Sequence, residues 1–135
     1  MSSHNILIVG TGAIGSFFAS RLSLISGVNV SVVCRSNYDA VKKEGIQVIS
    51  PSLGDVSFKP ARSFSSLEEA ASSKRSWDYI LVTTKVLPEM GDPSELLDGI
   101  ADENSSIVLL QNGLGIEQPY HQRFPRSPII SVTTR

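Results

Sequence analysis

The sequence predicts an α/β fold with a doubly wound, mostly parallel sheet, on three observations. Ile6 to Val9 is apolar without alternation and reads as a strand covered on both faces, and Val28 to Cys34, Tyr79 to Thr83 and Ser106 to Leu110 read as further strands from their strand-forming residues. Segments with apolar residues at helical spacing lie between them. The string Gly10-Thr11-Gly12-Ala13-Ile14-Gly15 joins the first run to the first of these helices. A G-x-G-x-x-G string is a weak signal alone. Between a strand and a helix, however, each glycine has a mechanical reason to be there. Gly10 permits a tight turn, Gly12 lets the backbone approach a pyrophosphate, and Gly15 lets the helix pack closely. Together these make the fold Rossmann-type.

Taken in order, Ile6 to Val9 forms the first strand, and the helix from Ala13 carries Ile14, Phe17, Phe18, Leu22 and Ile25 as its apolar stripe. Gly27 ends it. Val28 to Cys34, rich in β-branched residues, is the second strand and completes a right-handed βαβ unit. A polar turn at Arg35-Ser36-Asn37 leads to a short helix over Asp39 to Glu44, ended by Gly45. Ile46 to Ile49 and Val56 to Phe58 read as a hairpin laid at the sheet edge. Ser66 and Glu69 have capping-box spacing, so a helix runs through Ala70 and Ala71. Tyr79 to Thr83 is a strand. Asp92-Pro93-Ser94-Glu95 starts a helix that buries Leu96, Leu97 and Ile100. Ser106 to Leu110, a helix over Glu117 to Arg123 and a strand over Pro128 to Thr133 complete the pattern.

The chain has 135 residues, 41% of them hydrophobic, and a formal net charge of −1. That fits one domain over residues 1–135 with a single sizeable core, and no charge excess draws it to nucleic acid or a membrane surface. Cys34 is the only cysteine, so no internal disulfide forms. With no secretory pattern at the N-terminus, the expected location is cytoplasmic. The break-off at Arg135, where a strand should hand over to another element, suggests the N-terminal part of a longer protein.

Ligands of open α/β sheets lie beyond the C-terminal strand ends. There the sequence puts Gly10 to Gly15, Arg35 and Ser36, Thr84 and Lys85, and Asn112 and Gly113. A site that prefers NAD usually holds Asp or Glu about 20 residues after the glycine string, whereas this chain has Arg35 followed by Ser36. A cation there favours the 2'-phosphate of NADP(H). Lys85 suits a phosphate, a carboxylate or a carbonyl oxygen. Asn112-Gly113 is a common turn dipeptide that here precedes a helix rather than a hairpin strand. Neither His4 nor His121 suits a catalytic acid, Cys34 reads as a small buried strand residue, and no cluster has metal-ligand spacing.

Gly10 to Gly15, Cys34-Arg35-Ser36, Thr84-Lys85 and Gln111-Asn112-Gly113-Leu114-Gly115, in this order and at these intervals, resemble the N-terminal domain of ketopantoate reductase (2-dehydropantoate 2-reductase). The resemblance covers nearly the whole chain. It implies an NADPH-dependent enzyme that reduces 2-dehydropantoate to pantoate, in the route to pantothenate and coenzyme A. It further implies that Gly10, Thr11, Gly12, Ala13, Ile14 and Gly15 hold the pyrophosphate and Arg35 and Ser36 the 2'-phosphate. Thr84, Lys85, Asn112 and Gly113 would complete the cofactor site, with Lys85 and Asn112 near the nicotinamide and substrate. The general-acid lysine of that family lies in a C-terminal helical domain absent from these 135 residues, so no certain catalytic residue is expected here and the isolated chain should turn over slowly or not at all. A homodimer is compatible with the full-length protein. Two alternatives stay open on the sequence: an NADP-dependent 2-oxo or hydroxy acid dehydrogenase of different substrate, and a nucleotide-binding module without a reaction of its own.

Overall fold

The computed structural model describes residues 3–34, 37–73, 75–83, 93–110 and 117–132. Strand β1 (His4–Val9) is followed by helix α1 (Ala13–Ser23), strand β2 (Val28–Val33) and helix α2 (Tyr38–Glu44). Strands β3 (Ile46–Val48), β4 (Val56–Phe58) and β5 (Arg62–Phe64) precede helix α3 (Leu67–Ser72) and strand β6 (Tyr79–Val82). A 3-10 helix (Pro93–Leu97), strand β7 (Ser106–Leu109), helix α4 (Gln118–Arg123) and strand β8 (Ile129–Ser131) follow. Six strands form one sheet in the order β5-β2-β1-β6-β7-β8. Every pairing in it is parallel. The chain starts in the middle of this sheet, winds outward to β5, then returns to the other side of β1 with β6. This is the doubly wound Rossmann order.

The unalternated run of β1 follows from that winding. Leu7 and Val9 of β1 pack on one face with Ala70 of α3, Leu97 of the 3-10 helix and Tyr120 of α4. Ile6 and Ile8 pack on the other face with Ala19 of α1, Val41 of α2 and Ile46 of β3. Because side chains alternate across a strand, a strand covered on both sides must be apolar at successive positions.

Several local expectations need correction. The first strand begins at His4, two residues before the apolar run, since His4 N donates to Gly27 O at 2.8 Å. The stripe expected on α1 is wrong at both ends: Ile14 and Ile25 are exposed, and the helix stops at Ser23. Its middle holds, with Phe18 and Leu22 packed half-buried against the core, while the fully buried positions are Gly15, Ala19 and Ser20, small residues that bring the helix axis close to the sheet. The hairpin exists, but β3 and β4 pair antiparallel in a separate two-stranded sheet against α1 rather than at the main sheet's edge. That edge is β5, a strand the sequence pattern does not announce: it is three residues long and buries Phe64 alone. The segment at Pro93 is 3-10 rather than α-helical. It still buries Leu97 and Ile100, while Leu96 is only half-buried.

The capping signal at Ser66 is realised in altered form. Ser66 Oγ accepts from Glu69 N at 3.1 Å, and the Glu69 carboxylate returns to Ser65, accepting from its N–H and its hydroxyl. Those bonds hold the Glu69 carboxyl below the usual carboxylate range.

Ile107 is fully buried in β7, between β6 and β8. Ile107→Ala should cost about 2–5 kcal/mol, read as a lower urea midpoint at unchanged slope.

Candidate functional site

The strand order reverses between β1 and β6, and open α/β folds bind ligands at the C-terminal edge of the sheet beside such a reversal. Hydrogen bonds between successive exits keep that edge level. Cys34 N donates to Phe64 O at 2.8 Å, Gly10 N to Val33 O at 3.2 Å, Thr83 N to Val9 O at 3.0 Å and Leu110 N to Val82 O at 2.9 Å. The segments that follow β1, β2, β6 and β7 therefore all leave from one line.

Of the residues singled out in the sequence, Gly10, Thr11, Gly12, Ala13, Ile14 and Gly15 are described, and they form the turn from β1 into α1. Arg35, Ser36, Thr84, Lys85, Asn112 and Gly113 lie outside the described residues. Their described chain neighbours Cys34, Thr83 and Leu110 stand at these strand exits.

Gly10 has φ 102°, a left-handed conformation that only glycine adopts without strain. It reverses the chain out of β1 and turns its carbonyl under the start of α1. The consequence falls on Gly15, where a Cβ would stand 2.1 Å from Gly10 O and 2.8 Å from Thr83 Oγ1. Gly15 thus lets the helix lie on the turn itself. At Gly12 an added Cβ would meet nothing within 4 Å among the described residues.

Helix α1 starts without a side-chain cap and without an acidic residue in its first turn. The first N–H groups of a helix have no intrahelical partner, and among the described residues no hydrogen bond occupies those of Thr11, Gly12, Ala13 or Ile14. Uncapped donors at the positive end of a helix dipole suit an anion.

Three residues that carry no signal in the sequence support this turn. Thr83, just beyond β6, holds Val9 O and Gly10 O with its hydroxyl at 2.9 and 3.2 Å. Ser16 Oγ donates to Thr11 O at 3.0 Å. Thr11 Oγ1 donates to Asn37 Oδ1 at 3.1 Å, tying the glycine turn to the start of α2. A threonine at a strand end, a serine in the first helical turn and an asparagine in a polar loop have no distinctive pattern, so only the tertiary contacts reveal them.

His4 stands at the opposite edge of the sheet, its Nδ1 4.0 Å from Asp78 Oδ2. His121 is exposed on α4. Cys34 is fully buried, and burial pushes its thiol up while the Thr11 hydroxyl beside it offsets part of the rise. A raised pKa makes it a poor nucleophile at neutral pH.

Substitutions at the two helix glycines should separate. Gly15→Ala forces backbone apart and should lower stability by about 1–3 kcal/mol, whereas Gly12→Ala should cost under about 1 kcal/mol, both read by thermal unfolding. For Cys34, the folded thiol stays protonated at pH values where the unfolded one ionises, above about 8.5. The stability it contributes is complete below that pH and is lost as pH rises through the folded value. Cys34→Ala should therefore flatten the alkaline fall of the urea midpoint relative to the parent chain.

Comparison with known proteins gives these features a context. A crystal structure of 2-dehydropantoate 2-reductase from Methylococcus capsulatus superposes with a TM-score of 0.84 at 40% identity, covering 96% of this chain and 40% of that one. An uncharacterized protein of Saccharomyces cerevisiae is 34% identical over 136 residues, 90% of this chain and 38% of its own length. D-mandelate dehydrogenase, in its ternary structure with NADH and anilino(oxo)acetate, shares the fold with a TM-score of 0.78 at 22% identity, over 96% of this chain and 40% of that one. The chain thus spans about two-fifths of the length of these relatives. Residues 6–135 match the family model described as ketopantoate reductase PanE/ApbA, and the chain belongs to that family of oxidoreductases.

Proposed function

We propose that residues 1–135 are the NADP(H)-binding domain of a reductase that converts 2-dehydropantoate to pantoate. The observation that carries this reading is the donor-only glycine turn. At the order reversal of the sheet it offers the N–H groups of Thr11, Gly12, Ala13 and Ile14, which have no hydrogen-bond partner among the described residues, and position 12 carries no side chain. Those groups fit a pyrophosphate, and a carboxylate cap on the helix, which would compete with it, is missing. Family membership supports the reaction class.

In this reading Gly10 to Gly15 orient the pyrophosphate, while Arg35 and Ser36 take the 2'-phosphate. Thr84, Lys85, Asn112 and Gly113 line the nicotinamide end, where Lys85 and Asn112 orient a 2-oxo acid. The bound dinucleotide supplies hydride. The protein's share is placement, exclusion of water and stabilisation of charge on the carbonyl oxygen, and the proton for that oxygen comes from a group outside residues 1–135.

Calorimetric titration with NADPH and NADH tests the reading: NADPH should bind more tightly. Arg35→Ala should weaken NADPH by about 10-fold to 150-fold, the value of a charge-assisted hydrogen bond, and leave NADH nearly unchanged. Gly12→Val should weaken both. Absence of binding by either dinucleotide would refute the reading, and a preference for NADH would refute the role given to Arg35.

A further inference from the structure

We propose that the hydroxyls of Thr83 and Ser16 are positioning groups that set the direction of the glycine turn's peptides, and so the affinity of the site for a dinucleotide pyrophosphate. The inference rests on the cofactor reading above and extends it to two residues outside the glycine string.

Four consecutive carbonyls, from Val9 to Gly12, each meet one of these two residues. Val9 O accepts from Thr83 N and Thr83 Oγ1, at 3.0 and 2.9 Å. Gly10 O lies 3.2 Å from the same hydroxyl. Thr11 O accepts from Ser16 Oγ at 3.0 Å, and Gly12 O from Ser16 N at 2.9 Å. The Thr83 N–H bond continues the sheet ladder and the Ser16 N–H bond is an ordinary helical one, but the three contacts of the two hydroxyls are not dictated by the backbone. Ser16 Oγ is the donor that the described residues supply to Thr11 O, and the single proton of the Thr83 hydroxyl is shared between Val9 O and Gly10 O.

A peptide carries its N–H and C=O on opposite sides. Holding the carbonyls inward therefore fixes the N–H groups outward. If the peptide after Gly10 or Thr11 turned over, a carbonyl oxygen would face the anion in place of a donor, and attraction would become repulsion. Glycine at positions 10 and 12 makes such rotation easy, so the turn needs an external restraint. Thr83 supplies it from β6, across the order reversal, and Ser16 supplies it from the first turn of α1.

The distinguishing signature is the kind of ligand selectivity affected. The pyrophosphate is common to NADPH and NADH, so loss of either hydroxyl should weaken both cofactors by the same factor, with their affinity ratio preserved. This contrasts with Arg35→Ala, which changes the ratio. The test is titration of the full chain with NADPH and NADH, using Thr83→Val, Thr83→Ser, Ser16→Ala and the double variant Ser16→Ala/Thr83→Val. Thr83→Val and Ser16→Ala should each weaken both dinucleotides about fivefold, the double variant more than either, and Thr83→Ser should bind within about twofold of the parent chain. Thermal unfolding without ligand identifies a variant that fails to fold, in which case Ser16→Ala, altered at a half-buried helix position, decides the matter. Parental binding by folded Thr83→Val and Ser16→Ala would overturn the inference while leaving the cofactor reading intact. A loss confined to NADPH would also overturn it. If the parent chain bound neither dinucleotide, the cofactor reading would fall first and this assignment with it.

Discussion

The first turn of α1 lies against the Gly10 carbonyl so closely that a single added carbon at Gly15 would stand 2.1 Å from that oxygen. The organisation of the crevice depends on this approach. It is open only to a chain with glycine at position 15 and with a left-handed residue at position 10 to aim the carbonyl inward. Because the oxygen is turned under the helix, it needs a donor there, and the Thr83 hydroxyl is at hand from the neighbouring strand. A buried carbonyl without a partner would carry a penalty of about 1–3 kcal/mol, so the contact couples the turn's geometry to the pairing of β1 with β6.

The sheet makes this coupling reproducible. β1 pairs with β2 on one side through six aligned residues and with β6 on the other through four. The hydrogen bonds at the strand exits continue the same ladder to Gly10, Cys34, Thr83 and Leu110. On one face α1 is held by Ala19 against Ile6 and Ile8. The β3–β4 hairpin braces it from outside, where Arg21 Nη2 donates to Leu53 O at 2.9 Å and its guanidinium lies 5.8 Å from the centre of the Phe17 ring. The helix that begins at the glycine turn is thus fixed along its length, and its N-terminal donors keep their direction.

Electrostatically the turn is simple. Its carbonyls face inward, its first helical residues carry no carboxylate, and Arg21 in the last turn of α1 sits where a cation complements the helix dipole. Such an arrangement favours an anion at the N-terminus through fixed dipoles, without a charged side chain in the turn itself.

The first strand is legible in the sequence because a strand covered on both faces must be apolar at successive positions, as Ile6 to Val9 are, and the runs at Val28, Tyr79 and Ser106 are legible through their strand-forming residues. The glycine turn is legible because backbone conformation and close approach restrict residue type there. The capping box at Ser66 is legible because its partners are three residues apart. What only the tertiary structure decided has the opposite character. β5 is too short to show a pattern and is a strand only because β2 presents an unpaired edge to it. The hairpin's place against α1, the exposure of Ile14 and Ile25, and the 3-10 form at Pro93 depend on which neighbours cover them. Thr83 and Ser16 are ordinary residues until the fold delivers their hydroxyls to the glycine turn, in the case of Thr83 across 73 residues of chain. Local chemistry thus determined where the chain turns and which residues line the turn, whereas long-range pairing decided which way its peptides face.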